Sequence, residues 1–205
     1  MATTQRSDTD PAFEPVTATP SDRSALLALF AERAAPLGVD VDHVPGPAAA
    51  VARIAALAAE LGVSRALVAA ELAEAAPGLV GALNAAGVAW DLPGDPAATR
   101  DAPLGVGLAR LAVAETASVL LAEPTLDDRA IGMLAVVQLV LCPTGGLVPS
   151  LDEAAPVLRA LAARPGGAYA TLVTGPSRTA DIERVLTVGV QGPSRVAVLF
   201  VDDLA

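Results

Sequence analysis

The chain contains no lysine: all 13 of its basic residues are arginine, set against 23 acidic residues for a net charge of −10. Without lysine there is no Schiff-base amine and no phosphate-gripping lysine of the Walker type, so both chemistries drop out. One cysteine, Cys142, and one histidine, His43, are too few for a zinc site, an iron–sulfur cluster or a disulfide framework within one chain. No metal or cofactor is therefore expected here, and any metal centre would belong to a partner. Only 5 of the 205 residues are aromatic and no run of arginines occurs, which removes the stacking platforms and counterion-releasing surface that nucleic-acid binding uses. Long apolar runs are also missing. The most apolar window, Ile131 to Cys142, is stopped by Pro143-Thr144-Gly145-Gly146 well short of the roughly 20 residues that cross a bilayer, so no membrane partner and a cytoplasmic location are expected.

What is abundant is small and aliphatic. Hydrophobic residues make up 53% of the chain and 46 residues are alanine, a composition for close packing of helices on a sheet. The length suits one domain, with domains usually running to about 150 residues. Residues 1 to 18, polar and proline-containing, read as a flexible tail, and residues 19 to 205 as a single α/β domain.

The pattern predicts a helix over Ser21 to Ala35, a strand from Val39, and a helix over Ala48 to Leu61. Arg65 to Ala70 fits strand and helix equally. Pro77 to Ala86 reads as helix, Val88 to Trp90 as a short strand, and Asp91 to Pro103 as a connecting loop. Val106 to Leu121 and Ile131 to Cys142, dense in valine and leucine, read as central strands covered on both faces. Leu151 to Ala163 reads as an amphipathic helix behind Pro149-Ser150. Tyr169 to Thr174 is expected as a strand, Gly175 to Thr179 as a loop, Asp181 to Leu186 as a short helix and Val196 to Val201 as the last strand. Alternating strands and helices imply an α/β fold, a mostly parallel sheet with helices on both faces.

The segment Val173-Thr174-Gly175-Pro176-Ser177-Arg178-Thr179, with Gly192-Pro193 following, sets a Gly-Pro turn between a strand and a helix start. Ser177 or Thr179 can cap that helix, while its free amides and Arg178 offer a small anion site. Asp181 and Glu183 in the first turn already complement the helix dipole, so a plain capped helix reads equally well. Other residues carry two readings each. Glu115, where a strand turns back, is either a base or nucleophile or a structural hydrogen-bond acceptor. Arg129 either holds a carboxylate or pairs with Asp127, Asp128 or Glu123. His43 reads as solvated or packed, Cys142 as a buried small hydrophobe, and Asp127-Asp128 as a turn or solvated loop.

The run Gly175-Pro176-Ser177-Arg178-Thr179-Ala180-Asp181-Ile182-Glu183 resembles the closing signature of the lactate-utilisation protein C family, or LUD domain. Ala114-Glu115-Thr116-Ala117-Ser118-Val119 is similar to a second segment of that family, and the resemblance covers about residues 105 to 203. It implies a fold similar to sugar-phosphate isomerases and CoA transferases, with ligands near the carboxyl ends of the strands. It further implies an accessory subunit of L-lactate oxidation to pyruvate that binds a small carboxylate or phosphate-bearing ligand and two iron–sulfur partner proteins. Ligand contacts are then expected from Gly175, Ser177, Arg178, Thr179, Arg129, Gln191 and Gly192. Gln191 stands where the family signature has histidine, which removes proton transfer there but keeps hydrogen bonding, and Ala117 stands where it has glycine. The alternative is a free-standing isomerase or acyl-CoA transferase using Glu115.

Overall fold

The computed structural model describes residues 20–94, 96–123, 125–164, 168–179, 187–189 and 192–204. The expected tail, the expected helix at Asp181 to Leu186, and Gln191 lie outside the described residues. In chain order the elements are α1 (Pro20–Ala34), β1 (Val39–Val44), α2 (Pro47–Glu60), β2 (Arg65–Val68), α3 (Ala70–Ala75), α4 (Pro77–Ala85), β3 (Ala89–Asp91) and α5 (Pro96–Thr99). There follow β4 (Leu104–Leu108), β5 (Leu111–Val113), β6 (Ser118–Leu121), α6 (Leu126–Leu134), β7 (Val137–Pro143), β8 (Leu147–Val148) and α7 (Leu151–Ala162). The last are β9 (Thr171–Val173), β10 (Arg178–Thr179), β11 (Thr187–Val188) and β12 (Arg195–Val201).

Six strands form a parallel sheet in the order β1-β12-β7-β4-β2-β3. Its central strands are apolar on both faces because both are covered. On the first face Leu104, Val106, Leu139 and Leu199 pack against Ile54 and Leu57 of α2, Leu72 of α3 and Leu79 and Leu83 of α4. On the second, Val140, Cys142, Val198 and Phe200 meet α1 and a smaller sheet, with Phe30 of α1 set edge-on to Phe200 at a centroid distance of 5.0 Å. The expected α/β class is therefore present.

The smaller sheet is a feature the periodicity does not reveal. It is mixed, in the order β8-β5-β6-β9, and its outer side packs Leu111, Val113 and Leu120 on Ala154 and Leu161 of α7. The expected central strand over Val106 to Leu121 is thus three strands, of which β5 and β6 form an antiparallel hairpin in this second layer. The expected strand over Ile131 to Cys142 also needs correction. Ile131 to Leu134 end α6, and the strand begins at Val137. Helix α6 starts at Thr125, whose hydroxyl accepts a 3.0 Å bond from the Asp128 amide, so Asp127 and Asp128 lie in a helical first turn and not in a loop. Asp128 is buried at 2% exposure. Asp91 to Pro103 likewise contains the single turn of α5.

Ala117 closes the β5–β6 hairpin with a φ of +51°, in the left-handed region. The glycine of the resembled segment fits this position, since alanine there is strained by about 1–2 kcal/mol. Ala117→Gly relieves the strain while removing one buried methyl, worth roughly 0.8 kcal/mol. The substitution is expected to leave stability in urea unchanged or slightly raised, where most buried alanines lose stability. A loss above about 1 kcal/mol would contradict the strain argument.

Candidate functional site

The signature segment crosses the amino ends of the parallel strands. Pro193 and Ser194 lead into β12, Val136 into β7 and Leu37 towards β1, and the turn is tied to all three. The Ser177 amide donates to the Pro193 carbonyl at 2.9 Å and the Gly189 amide donates to the Ser177 carbonyl at 2.8 Å. The Ser194 amide donates to the Val136 carbonyl at 2.9 Å. The Arg178 guanidinium donates to the Leu37 carbonyl. Gly192, at φ +138°, lets the chain approach Ser177: a Cβ there would stand 3.1 Å from the Ser177 Cβ. Arg178 and Thr179 are strand residues, paired antiparallel with Thr187 and Val188. Beside this turn lies a cavity of about 570 Å³ bordered by Arg100, Asp101, Met133, Val136, Gly192 and Ser194.

The second resembled segment meets Thr174, the residue before the signature run, through hydroxyl groups. Strand β6 pairs with β9, and the Thr116 hydroxyl donates at 2.8 Å to that of Ser118, which shares a further 2.8 Å bond with Thr174. Glu115 is placed elsewhere. It is exposed at the start of α7, where its carboxylate accepts a 3.4 Å bond from the Leu151 amide, beside the box in which Ser150 and Glu153 cap that helix. Ser150→Ala is expected to lower stability by about 1 kcal/mol in a urea melt, and an unchanged midpoint would contradict the cap. His43 ends near the carboxyl side of β1, where its Nε2 shares a 2.8 Å bond with Asp202. Cys142 is fully buried, its thiol pushed up by desolvation, as expected of an inert core residue.

Arg129 belongs to a separate group of charged residues around Glu123. Its Nε donates to the Glu123 carbonyl at 3.0 Å, and its guanidinium stacks on the Tyr169 ring, 4.3 Å from the centroid. Glu123 is 8% exposed. Burial pushes its carboxyl up to about 7, helped by the neighbouring charges of Asp128 and Glu71 and opposed by Arg129. Asp128 Oδ1 accepts a 2.8 Å bond from the Ala70 amide, and Glu71, which follows β2, pairs with Arg110, which follows β4. Gln138 of β7 is 1% exposed, and among the described residues its amide oxygen and nitrogen both lack a hydrogen-bond partner.

Sequence reasoning places Arg129 at a site and treats Glu123 only as a pairing partner for it. Gln138 escapes that reasoning altogether, although a lone glutamine inside the apolar run Val137 to Cys142 marks a buried polar group. A buried carboxyl pushed up towards neutrality among charged neighbours marks a candidate for proton exchange, and buried structural charge clusters show the same shift. Among the described residues no group of His, Cys, Asp and Glu is arranged to hold a metal ion, and no helix is long and apolar enough to cross a membrane.

The part of the chain that holds the signature turn, the small mixed sheet and the central strands has a match among known families. The LUD domain family model covers residues 97–201, and the chain belongs to that family. Its relatives include "Lactate utilization protein C 1" of Bacillus mycoides, 35% identical over 104 residues, which are 50% of this chain and 44% of that protein. "Lactate utilization protein C" of Geobacillus kaustophilus is 32% identical over 108 residues, 52% of this chain and 45% of that protein. The matched region is thus about half of this chain and less than half of either relative. In three dimensions the chain is similar to the crystal structure of a DUF162 family protein from Deinococcus radiodurans, with a TM-score of 0.57 and 22% identity, covering 87% of this chain and 98% of that one. This last likeness extends the shared fold into the amino-terminal half, which the family model does not reach.

Proposed function

We propose that this chain serves the utilisation of L-lactate, as an accessory subunit that binds a small carboxylate and works with iron–sulfur partner proteins. The observation that carries the reading is the match over 104 residues to a protein named for lactate utilisation. The family region, residues 97–201, takes in both the signature turn and Glu123. Among the expected ligand contacts, the surroundings favour Arg129, which adjoins the buried carboxyl of Glu123, over the signature turn. The Arg178 guanidinium is directed to the Leu37 carbonyl, and the Ser177 amide and carbonyl are both engaged within the turn. Gly175, Ser177, Thr179 and Gly192 then act by holding the amino edge together, with Gln191 adjoining them in sequence. No observation favours the alternative enzyme built on Glu115, whose carboxylate faces the exposed start of α7.

Partner docking is assigned to the rim of the amino-edge cavity, where Met133 and Val136 are 57% and 41% exposed. Clustered apolar side chains of this kind mark protein contacts. The test is genetic. A strain deleted for this gene is expected to grow poorly on L-lactate as sole carbon source and normally on pyruvate, and equal growth on both would overturn the reading.

A further inference from the structure

Strand β4 reads Leu104-Gly105-Val106-Gly107-Leu108, so its leucines and valine fill the first face of the sheet and its second face carries only hydrogen atoms. Gly105 is bare because α6 lies against it: a Cβ there would stand 2.5 Å from Ile131 Cγ2 and 3.0 Å from the Ala135 Cβ. Gly107 lies two residues nearer the carboxyl end, on the same face. It is buried, yet among the described residues nothing stands within 4 Å of where its Cβ would be. A buried strand glycine with open space above it is where a ligand can approach the main chain closely.

The polar groups next along this face, two residues back beside Gly105, are unusual in the same way. Gln138 pairs with Gly105 across the β4–β7 ladder, and its buried amide has no partner among the described residues. That amide nitrogen lies 3.0 Å from the position a Cβ on Gly132 would take, and Glu123 Oε1 lies 3.6 Å from the same point, so amide and carboxyl converge beneath α6. Facing Glu123 are Asp128 and Arg129 from α6 and Glu71 from α3, and Arg110 pairs with Glu71. Three carboxyl groups against two guanidinium groups repel an incoming anion unless one carboxyl is neutral.

We propose that the open face of Gly107, with Gln138, Arg129 and Glu123, seats a small monocarboxylate that binds together with one proton. The inference rests on the reading that this chain handles a small carboxylate, and it names the place and the charge balance. The ligand brings one negative charge and solvent supplies one proton to Glu123, so the net charge of the site does not change. No covalent bond forms or breaks. The Gln138 amide and the Arg129 guanidinium supply donors to the carboxylate, and the protonated Glu123 adds a third.

Calorimetric titration of the full chain with L-lactate and with pyruvate, at pH 6 and pH 8 in two buffers of different ionisation heat, tests this. Saturable binding of at least one of the two is expected, with uptake approaching one proton per ligand at pH 8 and falling towards zero at pH 6. Affinity should weaken roughly tenfold per pH unit above the Glu123 midpoint. Gly107→Val is expected to abolish binding while the thermal melt shows a folded protein. Gln138→Leu, which adds no bulk, should weaken binding at least tenfold should the valine variant not fold. Glu123→Gln is expected to bind without proton uptake. Absence of saturable binding for both probes, no proton uptake at pH 8, or unchanged binding in a folded Gly107→Val variant would each overturn the proposal. Normal growth on L-lactate with intact binding would instead remove the pathway reading and leave the site standing.

Discussion

At pH 8 the Glu123→Gln variant is expected to be more stable than the parent by about 3 kcal/mol, and at pH 4 the two should be nearly equal. The expectation follows from the carboxyl's titration, near 7 in the folded chain against a usual value of 4.5. Between those values the folded state keeps a proton that the unfolded state has released. Stability from this group is therefore present below about pH 4.5 and lost as pH rises towards 7, at roughly 1.4 kcal/mol for each pH unit crossed. Glutamine keeps the shape and cannot ionise, so it escapes the loss. Urea melts at the two pH values check this. A variant that is no more stable at pH 8 than at pH 4, relative to the parent, would show that Glu123 is solvated in the folded chain.

The two bare glycines of β4 should respond in opposite directions to one added methyl. Gly105→Ala forces a carbon to 2.5 Å from Ile131 Cγ2, so α6 must shift away from the sheet, and overpacking of this kind costs about 1–3 kcal/mol. For a chain of this size that lowers the melting temperature by roughly 2–4 °C per kcal/mol. Gly107→Ala meets no atom and loses the backbone freedom of glycine in the unfolded chain, so its melting temperature should hold or rise. Equal destabilisation by both would show that the space above Gly107 is closed, and would remove the floor of the inferred site.

Much of the frame is legible in the residues because its signals are local. Strand β1 shows valine at alternate positions, α2 opens with Pro47 at its first turn, and Pro149-Ser150 announces α7. The errors fall where apolar residues run on without a break. From Ala130 to Cys142 only Gly132 and Gln138 interrupt the apolar sequence, so the end of α6 and the start of β7 merge, and the Thr125 to Asp128 cap is the one local sign of the helix. The second sheet stays hidden because its strands hold two to four residues each, too short for any period to show.

The site is legible only in pieces. The signature turn is plain as a motif, but chain order does not say which end of the sheet a returning loop crosses. The expectation of ligands at the carboxyl ends therefore gives no hint that this turn lies across the amino ends. Glu123, Gln138 and Gly107 come from three separate segments, and only the β4–β7 register and the seat of α6 on Gly105 bring them to one face.

The most direct measurement of the central claim is the conversion of L-lactate to pyruvate in extracts of the deletion strain, with and without the purified chain added back. Extracts lacking the protein are expected to lose the conversion, and adding the full chain is expected to restore it. Undiminished conversion of L-lactate in the deletion extract would contradict the account.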